Sequence, residues 1–381
     1  MKNFIIFFGV VLIVYGLVNY YIFMRGWQAI PKGSPIRTYY LIVFLFLALS
    51  YFAGRTLEKQ AFYGLGDVLM WVGAFWLAAM VYFLLAVVVI DLFRLVNHFT
   101  GFFPSLLTRD YARTKYYTAL AVISIVAVTV ILGRVNAVTP RLKVLDLEIK
   151  KKTNPIKTLN IVAASDIHLG TLVGNSRLDS LVERINRLQP DVVLFPGDIV
   201  DEDLGPVIKQ NLGETLRKIK SKYGIYAVPG NHEFYGGIQA ATQYLTEHGI
   251  VMLRDKVVKL EGGVYLIGRD DRSVNQVKKR KPLQELMREV DRTKPVIMMD
   301  HQPFDLQEAA DNGVDLQISG HTHHGQLWPF NFITNRVYEL SWGYKKKQNT
   351  NYYVSSGFGG WGPPIRTGNT PEIVNFRLRF E

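Results

Sequence analysis

The chain has no cysteine. That excludes a disulfide framework and any thiolate metal site. It does not choose a compartment, because a cysteine-free protein suits either side of a bacterial membrane. Charge is scarce in residues 1–135, which are dominated by Phe, Leu, Val, Ile and Tyr, whereas the remainder has ordinary globular composition. Acidic residues are outnumbered, 32 Asp and Glu against 44 Lys and Arg, for a net charge of +12. Such a balance suits anionic lipid headgroups or phosphorylated substrates, and it also serves plain solubility. Histidine is sparse, at eight in the chain, so its distribution is informative.

The charge-poor part holds four apolar stretches, at residues 4–23, 39–54, 68–90 and 116–133. A bilayer span needs about 20 apolar residues, with roughly 17 as the lower bound. The second stretch is the shortest. The first, behind Lys2, has features of a signal peptide, but its apolar run is too long and three more follow. Four runs in a row are not needed by a soluble helical core. The organisation expected is a four-helix transmembrane region at 1–135, a linker at 136–157 and a catalytic domain at 158–381.

Four spans put the N-terminus and the C-terminal domain on one side of the membrane. The connections at 24–38 and 94–115 carry Arg25, Lys32, Arg37, Arg94, Arg109, Arg113 and Lys115. The other side has Lys2, Arg55, Lys59 and Arg134 before the domain starts. By the positive-inside rule the richer loops are cytoplasmic, so the catalytic domain is expected to be extracytoplasmic on a multi-pass cell-membrane protein. Arg141, Lys143 and the run Lys150-Lys151-Lys152 argue the other way. The connection at 94–115 sets Phe99, Phe102, Phe103, Leu106 and Leu107 among its cations. It reads either as an interfacial amphipathic segment or as a loop packed on the spans.

After residue 160 the pattern changes. Short apolar runs alternate with helical periods, such as Leu178, Leu181, Val182 and Ile185, and this predicts stacked sheets flanked by helices. Five motifs end apolar runs in order: Asp166-Ile167-His168, Gly197-Asp198, Gly230-Asn231-His232-Glu233, Asp300-His301 and Gly320-His321-Thr322-His323. They contain five of the eight histidines. His, Asp and Asn together suit a pair of borderline-hard divalent cations. Alone, each histidine reads as a turn or surface residue, and Asp166 or Asp198 as a helix cap. Gly197 and Gly230 permit the abrupt turn and close backbone approach that would present the next side chain to metal.

The order and types of these motifs resemble the calcineurin-like metallophosphoesterase family over residues 158–380. The ending from Ser355 to Arg366, rich in glycine and proline, resembles a branch whose phosphoesterase domain is membrane-attached or exported. The resemblance implies a four-layer α/β/β/α sandwich with motifs on strand-end loops. It implies that Asp166, His168 and His323 hold one metal, that Asn231, His301 and His321 hold a second, and that Asp198 bridges them. Two divalent ions about 3.5–4 Å apart, with a bridging hydroxide as nucleophile, follow from that assignment. Mixed N/O ligands suit Mn²⁺ first, then Fe or Zn²⁺. His232 would contact the phosphate or protonate the leaving oxygen.

Other residues carry weaker expectations. Glu233 and Asp201 are expected to orient ligands; Asp270 and Asp271 read equally as such supports or as turn formers. Arg366 is a candidate to grip a substrate phosphate with its planar fork, and Trp361 to stack on a base or sit at the interface; a tightly turned loop packed on the second sheet is the alternative for both. His324 stands where glycine is common in that branch, and it either reaches substrate or fills space. The basic runs 278–281 and 345–347 read first as solvated loops, then as contacts to membrane lipid. Nucleic acid is not expected, because no known binding module is visible. The function expected is a membrane-bound phosphoesterase acting on a phosphodiester or pyrophosphate, possibly of a lipid-linked substrate. The alternatives are hydrolysis of soluble nucleotides and a metal-free binding scaffold, and the completeness of the ligand set argues against the scaffold.

Overall fold

The computed structural model describes residues 2–60, 62, 64–276 and 279–381. It divides into two compact units, Met1–Gly133 with Gly362–Pro364, and Arg134–Trp361 with Ile365–Glu381.

The first unit consists of helices α1 (Lys2–Ala29), α2 (Ile36–Lys59), α3 (Leu65–Thr100), the short α4 (Ser105–Arg109) and most of α5 (Tyr111–Ala137). Four of them, all but α4, are long and apolar enough to cross a membrane. They outrun the apolar stretches of the sequence: α2 has 24 residues and α3 has 36. Arg55, Lys59 and Arg94 continue the helices, because long cationic side chains are good helix formers that can reach past an apolar boundary. Apolar residues such as Ile13, Leu17, Ile125 and Leu132 are exposed, which excludes a buried soluble core. Inside the unit, Ile22, Phe44, Ala48 and Trp76 form a small cluster. Gly73 brings α3 against the Tyr51 backbone, with no room for a Cβ. The buried polar Asn19 is satisfied there, accepting from Trp76 Nε1 at 3.0 Å. In the connection at 94–115, Phe99, Phe102 and Leu107 are exposed.

The second unit holds twelve strands among the described residues: β1 (Arg141–Ile149), β2 (Thr158–Ala163), β3 (Val192–Pro196), β4 (Ile225–Val228), β5 (Ile250–Met252), β6 (Lys256–Lys259), β7 (Tyr265–Gly268), β8 (Val296–Met299), β9 (Leu316–Ser319), β10 (Gly343–Lys347), β11 (Thr350–Val354) and β12 (Glu372–Phe380). They form two six-stranded mixed sheets, ordered β1-β12-β2-β3-β4-β5 and β10-β11-β9-β8-β7-β6. Helices α6 (Asn175–Arg187), α7 (Gly205–Lys209), α8 (Leu212–Leu216), α9 (Asn231–Gly236) and α10 (Ile238–Glu247) accompany the first sheet. The second has α11 (Leu283–Leu286), α12 (Leu306–Asp311) and α13 (Asn331–Val337).

Alternation along single strands builds the layers. In β3, Val193 and Phe195 face the helix-side core with Leu178 and Leu181 of α6. Val192 and Leu194 face the opposite way, into a core shared with Leu266, Ile297 and Ile318 of the second sheet. A third core joins Ile267 and Met298 to Leu286 and Leu306. Helix, sheet, sheet and helix therefore stack in the expected sandwich. Because both faces are covered, β2 and β3 read as continuous apolar runs rather than alternating ones.

One expectation fails here. Residues 136–157 are not simply a linker, because β1 lies within them and pairs in parallel with β12 from Arg141↔Glu372 to Ile149↔Phe380. As an edge strand with a largely exposed face, β1 tolerates the charges that disguise it. Between β3 and β4 the chain forms two short helices, α7 and α8, separated at Asn211 by a left-handed backbone.

Candidate metal centre

The strands β2, β3 and β4 run parallel, as do β8, β9 and β11. The five motifs follow the C-terminal ends of β2, β3, β4, β8 and β9, the edge where parallel sheets gather functional groups. The turns are abrupt. Asp166, His168, Asp198, His321 and His323 all have left-handed backbones, with φ between 45° and 71°. Non-glycine residues rarely adopt this conformation, and its clustering at one place marks strain held by the surrounding fold. Gly197, at φ 91°, is packed against the His301 ring, and Gly230 against Asp198, with no space for a side chain at either.

The turns bring the candidate ligands together in two adjoining groups, Asp166–His168–His323 and Asp198–His301–His321. In the first, His168 Nε2 lies 3.1 Å from His323 Nε2, which is 3.5 Å from Asp166 Oδ1. In the second, His301 Nε2 is 3.0 Å from Asp198 Oδ2 and 3.3 Å from Asn231 Oδ1, and Asn231 Oδ1 is 2.8 Å from His321 Nδ1. Asp198 Oδ2 also stands 3.9 Å from His168 Nε2, so one carboxylate oxygen touches both groups. Ligand atoms on a cation with bonds of about 2.1 Å are about 3 Å apart when they subtend a right angle. The donor set and its spacing thus fit a dimetal centre.

Hydrogen bonds behind the ligands aim them. His301 Nδ1–H donates to the Pro196 carbonyl at 2.8 Å, which turns Nε2 inward. The buried Glu233 carboxylate accepts the N–H groups of Asp198, Ile199, Val200 and Gly230 at 2.7–3.2 Å, tying the loop after β3 to the loop after β4. Asp166 Oδ1 accepts the His321 N–H at 2.9 Å, joining the two sheets across the site.

The site's electrostatics are opposed. Burial disfavours ionisation of Asp198, but the His301 imidazolium beside it holds the carboxyl well below its usual range. Burial likewise works against the His301 cation, and Asp198 outweighs it, raising the imidazole well above 6.5. Burial pushes His321 down to about 3 and His323 well down, both also repelled by neighbouring imidazolium charge. His232 sits beside the centre, and its backbone N–H donates to Asp198 Oδ1 at 2.9 Å. Desolvation lowers its pKa, but Asp201 and Asp198 together raise it to about 9.

The other expectations divide. Trp361 is exposed, with its ring 6.1 Å from His232. Arg366 is not a phosphate contact. It is wholly buried, with Nη1 donating to Ser356 O at 2.7 Å, Nε to Gly359 O at 3.2 Å, and Nη2 lying 3.3 Å from His323 Nδ1. Its guanidinium clamps the loop between β11 and β12 behind the metal ligands. His324 turns away from the ligands, its Nδ1 2.9 Å from Ser341 Oγ, into a 220 Å³ cavity lined also by Arg141, Trp342 and Glu372. Asp271 accepts from Gln302 at 3.0 Å, and Asp270 pairs with Arg254 at 2.9 Å. In the run 278–281, Lys278 lies outside the described residues, and Arg280 is buried against Asp300 rather than solvated. Sequence reasoning missed Tyr235, whose exposed ring lies 6.0 Å from that of His232. It also missed the Arg280–Asp300 pair. Only adjacency to a motif marked Tyr235, whereas Asp300 stood inside one without a role assigned to it.

A two-sheet sandwich with a dinuclear ligand set at its strand ends defines a metal-dependent phosphoesterase architecture. Residues 159–325 match the calcineurin-like phosphoesterase family. A metallophosphoesterase of Helicobacter pylori is 36% identical over 58% of this chain and 60% of its own length. One from Aquifex aeolicus is 32% identical over 57% of this chain and 83% of its own. A zebrafish transmembrane protein with a metallophosphoesterase domain is 33% identical over 69% of this chain and 62% of its own. The chain belongs to the calcineurin-like phosphoesterase family. The matched region spans about 60% of the length of the Helicobacter relatives.

Proposed function

We propose that the protein is a membrane-tethered, two-metal phosphoesterase that hydrolyses a phosphodiester or pyrophosphate bond of a lipid-linked substrate. The observation that carries the hydrolase reading is Asp198 Oδ2, placed within reach of ligands from both groups, with a protonatable His232 alongside. When bound, the cations lower the pKa of water and neutralise phosphoryl charge. Mn²⁺ fits the N/O donor set best, and Fe or Zn²⁺ also suit it. Asp166, His168 and His323 hold one ion, Asn231, His301 and His321 the other. Asp201 keeps the His232 ring oriented and its cation stable, so that His232 delivers a proton to the leaving oxygen.

The lipid-linked reading is supported by the four apolar helices, which would place enzyme and substrate in the same bilayer, with the hydrolase unit on the extracytoplasmic side. A second reading has its own support. Tyr235 and Trp361 are exposed rings 6.0 and 6.1 Å from that of His232, and they suit the planar base of a soluble nucleotide. The test is the full chain in lipid nanodiscs with Mn²⁺, assayed against lipid-linked and nucleotide diesters and pyrophosphates. Turnover confined to nucleotides would replace the first reading with the second. No metal-dependent turnover of any phosphoester would reject both.

A further inference from the structure

Helix α13 is amphipathic the wrong way round for a soluble domain. At 3.6 residues per turn, Phe332, Arg336, Ile333 and Val337 occupy about 140° of its circumference, and Asn331, Thr334 and Asn335 the opposite side. All four of the first set are exposed, while Asn331 and Thr334 are half-buried against the unit. None of the helix's side chains is buried. A surface helix normally hides its apolar stripe; here Asn331 and Thr334 turn inward instead, and the exposed Asn335 accepts a hydrogen bond from Ser341. Trp328 and Trp342, before and after the helix, are exposed as well. Exposed apolar side chains gathered on one helix face mark an interaction surface.

Charge identifies the partner. Arg336 lies within the apolar arc, and the edge strand β10 that follows carries Lys345, Lys346 and Lys347, with Lys346 exposed and Lys345 and Lys347 half-buried on its other face. Glu339 is the acidic group facing this run, bonded by Lys345 at 2.9 Å and Lys347 at 3.2 Å, so cations remain in excess. Apolar side chains with tryptophan at the margins and lysines beside them match the acyl boundary and headgroups of an anionic bilayer. The same chain carries four helices able to cross a membrane, so such a surface is always at hand.

We infer that α13 and its flanking tryptophans form an interfacial membrane-docking element of the phosphoesterase unit. The inference rests on the membrane-tethered reading but not on any particular substrate. Docking would bear directly on the metal centre. The start of α13 is packed against Gly325, two residues after His323, with no space for a Cβ between them. The Tyr338 ring just beyond its end is 6.1 Å from that of His321.

The absence of cysteine allows single-site labelling of the full chain. Phe332→Cys, and separately Ile333→Cys in case the first disturbs folding, would carry an environment-sensitive fluorophore. The protein would be reconstituted in nanodiscs of phosphatidylcholine and phosphatidylglycerol with acyl-chain quencher lipids. Ile13→Cys on α1 reports the tether itself, and Glu183→Cys on exposed α6 serves as the aqueous control. Docking predicts that the α13 labels lose most of their fluorescence, as the Ile13 label does, while the Glu183 label keeps it. Replacing phosphatidylglycerol by phosphatidylcholine should weaken the α13 quenching alone. An α13 label that behaves like the Glu183 control overturns the inference while leaving the tether intact. Thiol cross-linking between copies of the Phe332→Cys variant, in place of lipid quenching, also overturns it, in favour of a second protein copy. Loss of quenching at Ile13 would instead reject the tether.

Discussion

Asp201 Oδ1 stands 3.0 Å from Nδ1 of His232 and 3.8 Å from Nδ1 of His168. One carboxylate oxygen therefore faces both the candidate proton donor and a candidate metal ligand. Nδ1 of His232 is committed to Asp201, which leaves its Nε2 for the substrate.

Replacing His232 by alanine should leave both metals bound and reduce turnover by roughly 10²–10⁴-fold, the usual range for a positioned acid. The defect should shrink with p-nitrophenyl esters, whose leaving group needs little protonation. An equal defect with alkyl leaving groups, measured alongside metal content, would assign His232 to phosphate positioning instead.

Asp201→Asn should act through pH. Burial alone would depress His232, and Asp201 and Asp198 hold it up to about 9. The acid works only while protonated, so the alkaline limb of the rate profile should move to lower pH when Asp201 loses its charge. Turnover at pH 6 should change less than at pH 8. An unmoved limb would mean that the limb does not report His232.

Asp198→Ala should abolish hydrolysis and lower metal content at both positions, because its Oδ2 approaches both ligand groups. Retention of two metals per chain by elemental analysis, with most activity, would contradict the bridging assignment.

Metal binding should release protons near neutral pH. Burial opposes the His301 cation, but Asp198 raises its pKa well above 6.5, and that proton must leave before Nε2 can bind a cation. His321 and His323 are already neutral at pH 7, their pKa values lowered by burial, and should release none. Affinity should therefore climb as pH rises above 6.5. Calorimetry of Mn²⁺ binding in buffers of different ionisation enthalpy measures the release directly, and a pH-independent affinity would exclude a charged His301.

Arg366→Ala should be chiefly a stability defect. Each buried carbonyl left without its donor costs about 1–3 kcal/mol, and both Ser356 O and Gly359 O would lose theirs. Thermal unfolding should occur at clearly lower temperature, while KM of the folded fraction changes little. A large rise in KM at unchanged stability would restore the phosphate-contact role.

The ligand set was legible because each ligand is local to its own turn. A buried strand must end, the next residue must leave the sheet, and His, Asp or Asn beside glycine marks that exit as a candidate metal-binding position. The apolar spans were legible for the same reason, since length and composition alone decide whether a helix can cross a bilayer. The strand β1 was passed over although Leu145, Leu147 and Ile149 alternate with Asp146 and Glu148, because the charges that an exposed edge strand keeps also suit a linker. The remaining decisions belong to contacts between distant segments. Arg366 becomes a clamp only because the loop between β11 and β12 folds over it. Arg280 leaves solvent only because Asp300 lies across the chain from it. Trp361 comes within 6.1 Å of the His232 ring only once the long intervening chain returns to the same strand ends. The outward apolar face of α13 was equally invisible. Periodicity shows that a helix has an apolar side, and only packing determines whether that side turns to the core or away from it.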